Sequence, residues 1–127
     1  MSSDAGTRKA LGLIGLGIRG RLAVVGVQQV RDAAKRGRLQ VALVASDASQ
    51  NSLDKISSLL AARAVPVISS VSGSELGNVA GRENVSVIGV TDAGLARGIM
   101  SALPATISEI AGAGRTARLS SRRDSRR

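Results

Sequence analysis

Three short apolar runs do most to limit what this chain can fold into: VALVA at 41–45, VPVI at 65–68 and VSVIGV at 85–90. Each has strand length without polar alternation, the mark of a strand covered on both faces. A helical pattern follows each run. Residues 51–62 place Leu53, Ile56, Leu59 and Leu60 on one side, 72–80 form a short segment centred on Glu75-Leu76-Gly77, and 93–103 end at Pro104. A further run, Leu22 to Val25, is broken by Gly26 and followed by an amphipathic stretch, 27–36. That stretch puts Val27, Val30, Ala33 and Ala34 on one side and ends at Gly37. Ser46-Asp47-Ala48-Ser49 and Thr91-Asp92 supply turn and N-cap chemistry before two of the helices. Pro66 puts its strand near a start or an edge. Strands alternating with helices imply a layered α/β domain.

The two ends of the chain are less explicit. Residues 1–7 (MSSDAGT) read as a polar lead with Thr7 as a helix cap, and from Arg8 to Ile18 the apolar pattern is so interrupted by glycine that periodicity alone leaves helix and strand open. Beyond Pro104 the composition changes. Residues 105–114 contain Ile107 and Ile110 at a spacing that extends a helix, loosened by Gly112 and Gly114, and RTARLSSRRDSRR reads as a disordered basic tail. The expected organisation is a lead over 1–7, one domain over 8–103 and a tail over 104–127.

Composition removes whole classes of chemistry. There is no Cys and no His among the 127 residues, so disulfides, thiolate or imidazole metal ligation, cysteine nucleophiles and the commonest general base are excluded. Asp47, Asp54, Glu75 and Asp92 read as caps or helix-surface charges, not as an acid/base pair. No catalytic residue, metal or cofactor is expected. Phe, Tyr and Trp are also absent, so a nucleic-acid partner is not bound by stacking on aromatic platforms; shape and charge must carry its recognition.

The charge does point to a polyanion. Eighteen Lys and Arg against nine Asp and Glu give +9, and the excess is concentrated. The segment 19–38 holds Arg19, Arg21, Arg31, Lys35, Arg36 and Arg38 against Asp32, and the last thirteen residues hold six Arg against Asp124. Two basic segments of this kind suit a phosphate surface, with affinity that falls as salt rises. The apolar run Ala10 to Ile18 is nine residues with three glycines, against the roughly 20 that a membrane span needs, and the acidic opening MSSD is a poor signal sequence. The expected location is the cytoplasm, with no membrane partner.

One motif argues for a different class. Gly15, Gly17 and Gly20 in LGLIGLGIRGR have the G-x-G-x-x-G spacing of a dinucleotide-binding loop. On that reading Leu11–Ile14 is a strand, 19–36 a helix whose N-terminus faces a pyrophosphate, and Asp47 the acid that holds a ribose hydroxyl. Against it, Asp47 falls 27 residues after Gly20, beyond the usual gap of about 20, and Val24-Val25-Gly26 sit in the middle of the supposed helix.

Taken together, residues 14–26 (IGLGIRGRLAVVG), 41–56 (VALVASDASQNSLDKI), 65–67 (VPV), 75–83 (ELGNVAGRE) and 87–99 (VIGVTDAGLARGI) resemble the kink-turn RNA-binding ribosomal-protein family. This is the family of ribosomal proteins L-seven-Ae and L-thirty-e, and the pattern is most similar to its small bacterial YlxQ-type members. The likeness spans about 11–103, five blocks in order. It implies a three-layer αβα sandwich with a four-stranded mixed sheet, and it makes the glycine-rich opening stretch the first helix, its small residues packing closely on the sheet.

The resemblance also implies a non-catalytic RNA-binding protein and where the RNA would sit. The N-terminal turn of the second helix, Gly26, Gln28, Gln29 and Asp32, would enter the groove at sheared G·A pairs; the loop before the last strand, Arg82, Glu83, Asn84 and Val85, would cover a flipped-out base. Arg31, Lys35, Arg36 and Arg38 would add phosphate contacts. The implied partner is structured RNA, kink-turn-like or ribosomal, bound by a monomer. Kink-turn binders carry Asn-Glu where this chain has Gln28-Gln29, and Lys where it has Asp32. An anion in place of a cation about 4 Å from phosphate is a swing of roughly 2 kcal/mol in water. A protein-interaction module on the same fold is the alternative that this departure favours.

Overall fold

The computed structural model describes residues 2–107 and contains five helices in the order α1 (Ser2–Arg19), α2 (Val27–Lys35), α3 (Gln50–Ala62), α4 (Gly73–Ala80) and α5 (Ala93–Ala102). Between them run the strands β1 (Ala23–Val25), β2 (Val41–Val44), β3 (Pro66–Ile68) and β4 (Val87–Val90), and a two-residue strand β5 (Thr106–Ile107) closes the series. The sheet order is β1-β4-β2-β3-β5. β4 is antiparallel to both β1 and β2, with Val24 opposite Gly89 and Ala42 opposite Gly89 on its two sides, while β2 and β3 run parallel.

Period-two alternation along the central strands builds the two cores. Val41 and Leu43 of β2 and Ile88 and Val90 of β4 face α1, α4 and α5, where Ala10, Ile14, Leu76, Ala96 and Ile99 complete the cluster. Ala42, Val44 and Val87 face the other way, onto Val30, Ala33 and Ala34 of α2 and Ile56 and Leu60 of α3. All four residues of β2 and of β4 are buried, as the unbroken apolar runs require. The architecture is the expected three-layer αβα sandwich with a mixed sheet.

Three sequence expectations change. The lead expected over 1–7 is helical from Ser2, so Thr7 lies inside α1 and caps nothing. Thr106 and Ile107 pair antiparallel with Val67 and Pro66 as β5, where a helical extension was expected, and add a fifth strand to the four. The remainder of the basic tail lies outside the described residues. Thirdly, the small residues of α1 do less against the sheet than against α5. A side chain at Gly17 would meet Leu95 Cδ2 at 2.5 Å and Ala23 Cβ at 3.4 Å, and one at Gly98 would meet Leu13 Cδ1 at 3.2 Å.

Candidate nucleic-acid interface

The N-terminal turn of α2 is open by construction. Gly26 occupies the N-cap with φ 101° and ψ 156°, offers no side chain to cap the helix, and no acidic residue follows in the first turn. Its own N–H donates to the Val87 carbonyl at 2.9 Å and its carbonyl accepts from Val30 N–H at 3.0 Å. The N–H groups of Val27, Gln28 and Gln29 are therefore the helix-end donors with no intrahelical acceptor, and the helix dipole makes this end attractive to an anion. Gln28 and Gln29 are both exposed there. The Gln28 carboxamide donates to Asp32 Oδ1 at 3.1 Å, one helical turn on.

The Gly26–Val87 hydrogen bond ties this turn to the first residue of β4, the strand into which the loop 82–84 leads. Arg82, Glu83 and Asn84 are exposed on that loop. Val85 is not: it is 4% exposed, belongs to the core under α4, and its N–H donates to the Gly73 carbonyl at 3.0 Å. Its side chain anchors the loop and does not form the loop's surface. Asn84 leans over the start of α4, where a Cβ at Gly73 would come within 2.6 Å of its side-chain oxygen.

The cations of α2 divide between its two flanks. Arg31 donates from its guanidinium to the Lys55 carbonyl of α3, and Arg63, the C-cap of α3, donates back to the Lys35 carbonyl at 3.0 Å. Arg31 is thus a strut between two helices, which its charge alone did not reveal. On the other flank Gln29, Asp32 and Arg36, joined by Arg21, Arg38 and Thr91, line a cleft of about 340 Å³ between α2 and β1. Arg21, from the bend between α1 and β1, lines this cleft, whereas its charge marks it only as part of a basic segment. Lys35 is exposed at the end of α2.

The acidic residues have structural partners. Asp47 Oδ1 accepts from Gly73 N–H at 2.8 Å, Asp54 from the Gln50 carboxamide at 2.8 Å, and Asp92 from Leu95 N–H at 2.8 Å as the α5 cap. Glu75 and Ser72 form a reciprocal capping box at α4. The dinucleotide alternative fails on the same geometry. Gly15 and Gly17 lie within α1, with no strand before them, and Gly20 follows the helix end; the acid that would hold a ribose is instead bonded to the start of α4. Among the described residues there is no group of three or more His, Cys, Asp or Glu arranged to hold a metal ion, and no helix is long and apolar enough to cross a membrane.

No curated protein matches the sequence significantly. A solved structure described as a protein with unknown function from Bacillus halodurans C is similar, with 31% identity over 74% of this chain and 95% of that one, and a TM-score of 0.68. The model of the Ribosomal protein L7Ae/L30e/S12e/Gadd45 family matches residues 18–99, from the end of α1 into α5 and across both faces of the candidate interface. The chain belongs to the L7Ae/L30e/S12e/Gadd45 ribosomal-protein family.

Proposed function

We propose that this protein is a non-catalytic binder of structured RNA, kink-turn-like or ribosomal, acting as a monomer in the cytoplasm in the manner of the small bacterial YlxQ-type members. RNA lies against the N-terminal turn of α2 and the loop Arg82–Asn84. Family membership supports RNA as the partner. The observation that supports this placement is the Gly26–Val87 hydrogen bond, which ties an uncapped, acid-free helix N-terminus to the first residue of β4, the strand that the loop 82–84 leads into. Gly26 lets an RNA backbone come close, since a Cβ there would itself have nothing within 4 Å. Gln28 and Gln29 offer donors and acceptors to base edges.

The test is affinity for three RNAs, a kink-turn, a plain duplex and a ribosomal RNA fragment, measured for the whole chain and for a chain ending at 107, which retains β5. Structured recognition requires that the shorter chain still distinguish them. Equal weak binding to all three, lost with residues 108–127, overturns the reading. Asp32→Lys replaces the anion on the second turn of α2 with a cation. The expected result is tighter kink-turn binding by up to thirtyfold, the equivalent of the roughly 2 kcal/mol electrostatic swing.

A further inference from the structure

We propose that the cleft between α2 and β1 is a second phosphate-binding site, which grips the backbone of the RNA on the flank of α2 opposite α3. The identity of the polyanion rests on the RNA-binding reading; the site itself rests on three independent observations. The first is charge. Arg21, Arg36 and Arg38 converge on one concave wall with Asp32 as the single acid, together with the Gln29 amide. Arg31 and Arg63 spend their guanidinia on backbone carbonyls between helices, whereas these three border open space. Planar guanidinium forks suit the paired oxygens of a phosphodiester.

The second observation is the backbone at Arg21. Four helices of this protein end in the same way, with paired N–H bonds reaching back to the last turn and one residue in the left-handed region. At α1 the Leu22 N–H reaches the Gly17 carbonyl at 2.7 Å and Arg21 has φ 62°. At α2 and α4 the left-handed residue is glycine, Gly37 at φ 71° and Gly81 at φ 73°, and at α3 it is Ala64 at φ 54°. Arginine gains nothing from this backbone. A glycine at 21 would end the helix with less strain, and its immediate neighbour Gly20 shows that the bend has one at hand. The left-handed turn carries the Arg21 side chain into the cleft, and that is what the residue adds.

The third is that the bend is fixed from the far side. Thr91, the residue after β4, donates both its N–H, at 2.8 Å, and its hydroxyl, at 3.0 Å, to the Leu22 carbonyl. Thr91 is a positioning residue, which holds the segment next to Arg21 against the end of β4. Gln29 belongs to both the N-terminal turn and the wall of the cleft, and from it to Arg36, the C-cap of α2, the chain rises about 10 Å. One RNA strand leaving the helix N-terminus therefore reaches the cleft without a break.

The experiment compares Arg21→Gly, Arg38→Ala and Ala64→Gly in the whole chain. The readouts are thermal unfolding and fluorescence-anisotropy titration of a kink-turn RNA with duplex arms over a series of KCl concentrations. Arg21→Gly and Ala64→Gly both relieve a left-handed residue and both raise Tm. Only Arg21→Gly and Arg38→Ala weaken binding, each about tenfold, the loss of one charge-assisted contact, and each lowers the salt slope by about 0.9. Wild-type affinity and slope in the two arginine variants overturn the cleft. If Gly26→Ala weakens binding while they do not, the RNA-binding reading stands and the second site falls. If the wild type binds no RNA except through residues 108–127, both fall.

Discussion

A Cβ at position 26 would meet no heavy atom within 4 Å, yet φ is 101°, in the region that only glycine occupies cheaply. The cost of Gly26→Ala is therefore conformational, about 1–2 kcal/mol in urea unfolding with the m value unchanged. Gly77 presents the opposite case. Its backbone is ordinary helix, but a Cβ would lie 2.7 Å from the Arg82 carbonyl oxygen and 2.8 Å from the Asn84 nitrogen. Those are backbone atoms, which no rotamer change can move aside. Gly77→Ala is expected to cost about 1–3 kcal/mol and to shift the amide resonances of 82–85, reshaping the loop of the proposed interface. A perturbation confined to α4 would show that the loop is not seated on Gly77. Position 26 is legible in the sequence because a glycine there breaks an apolar run ahead of an amphipathic stretch. The requirement at 77 arises from a loop that folds back on the helix, a tertiary contact that leaves no periodic trace.

At the scale of elements, the strands and helices between 41 and 103 could be read directly, because β2 and β4 are buried on both faces and α3 and α5 begin at side-chain caps, Ser49 and Asp92. α1 could not. Gly6, Gly12, Gly15 and Gly17 lower its propensity, and its helix is held by packing against α5, with Ala10 and Ile14 completely buried. β5 is two residues long and exists through pairing with β3, so nothing local announces it. Of the proposed interface, the resemblance names the α2 turn and the loop, but the strut role of Arg31, the burial of Val85 and the place of Arg21 in the cleft all depend on how helices pack. The glycines of α1 divide by the same criterion. Gly12 is exposed with nothing within 4 Å, so Gly12→Ala is expected to stabilise by about 0.4–1 kcal/mol. Gly17→Ala gains the same helix propensity but drives a methyl group to 2.5 Å from Leu95 Cδ2, and is expected to be neutral or destabilising by chemical denaturation. Equal stabilisation by both would mean that α1 and α5 are less closely packed than these distances imply.

Over the whole molecule, charge and shape make separable contributions. Residues 108–127 hold six arginines against Glu109 and Asp124, so a chain ending at 107 keeps +5 of the formal +9. Attraction of a basic segment to phosphate depends on the charge density of the nucleic acid and hardly on its sequence. Removing residues 108–127 is thus expected to lower affinity for a kink-turn and for a plain duplex by the same factor, and to reduce the salt slope for both by roughly 0.9 for each phosphate released. The ratio of the two affinities, which on the proposed placement is set by how the α2 turn and the loop before β4 fit the RNA, should then remain within about twofold of its original value, well under the tenfold that 1.4 kcal/mol represents. Titrations at several salt concentrations check both quantities at once. A ratio that collapses to one on truncation would transfer selectivity from the folded domain to the arginine-rich segment, and a slope that does not change would remove that segment from the contact altogether.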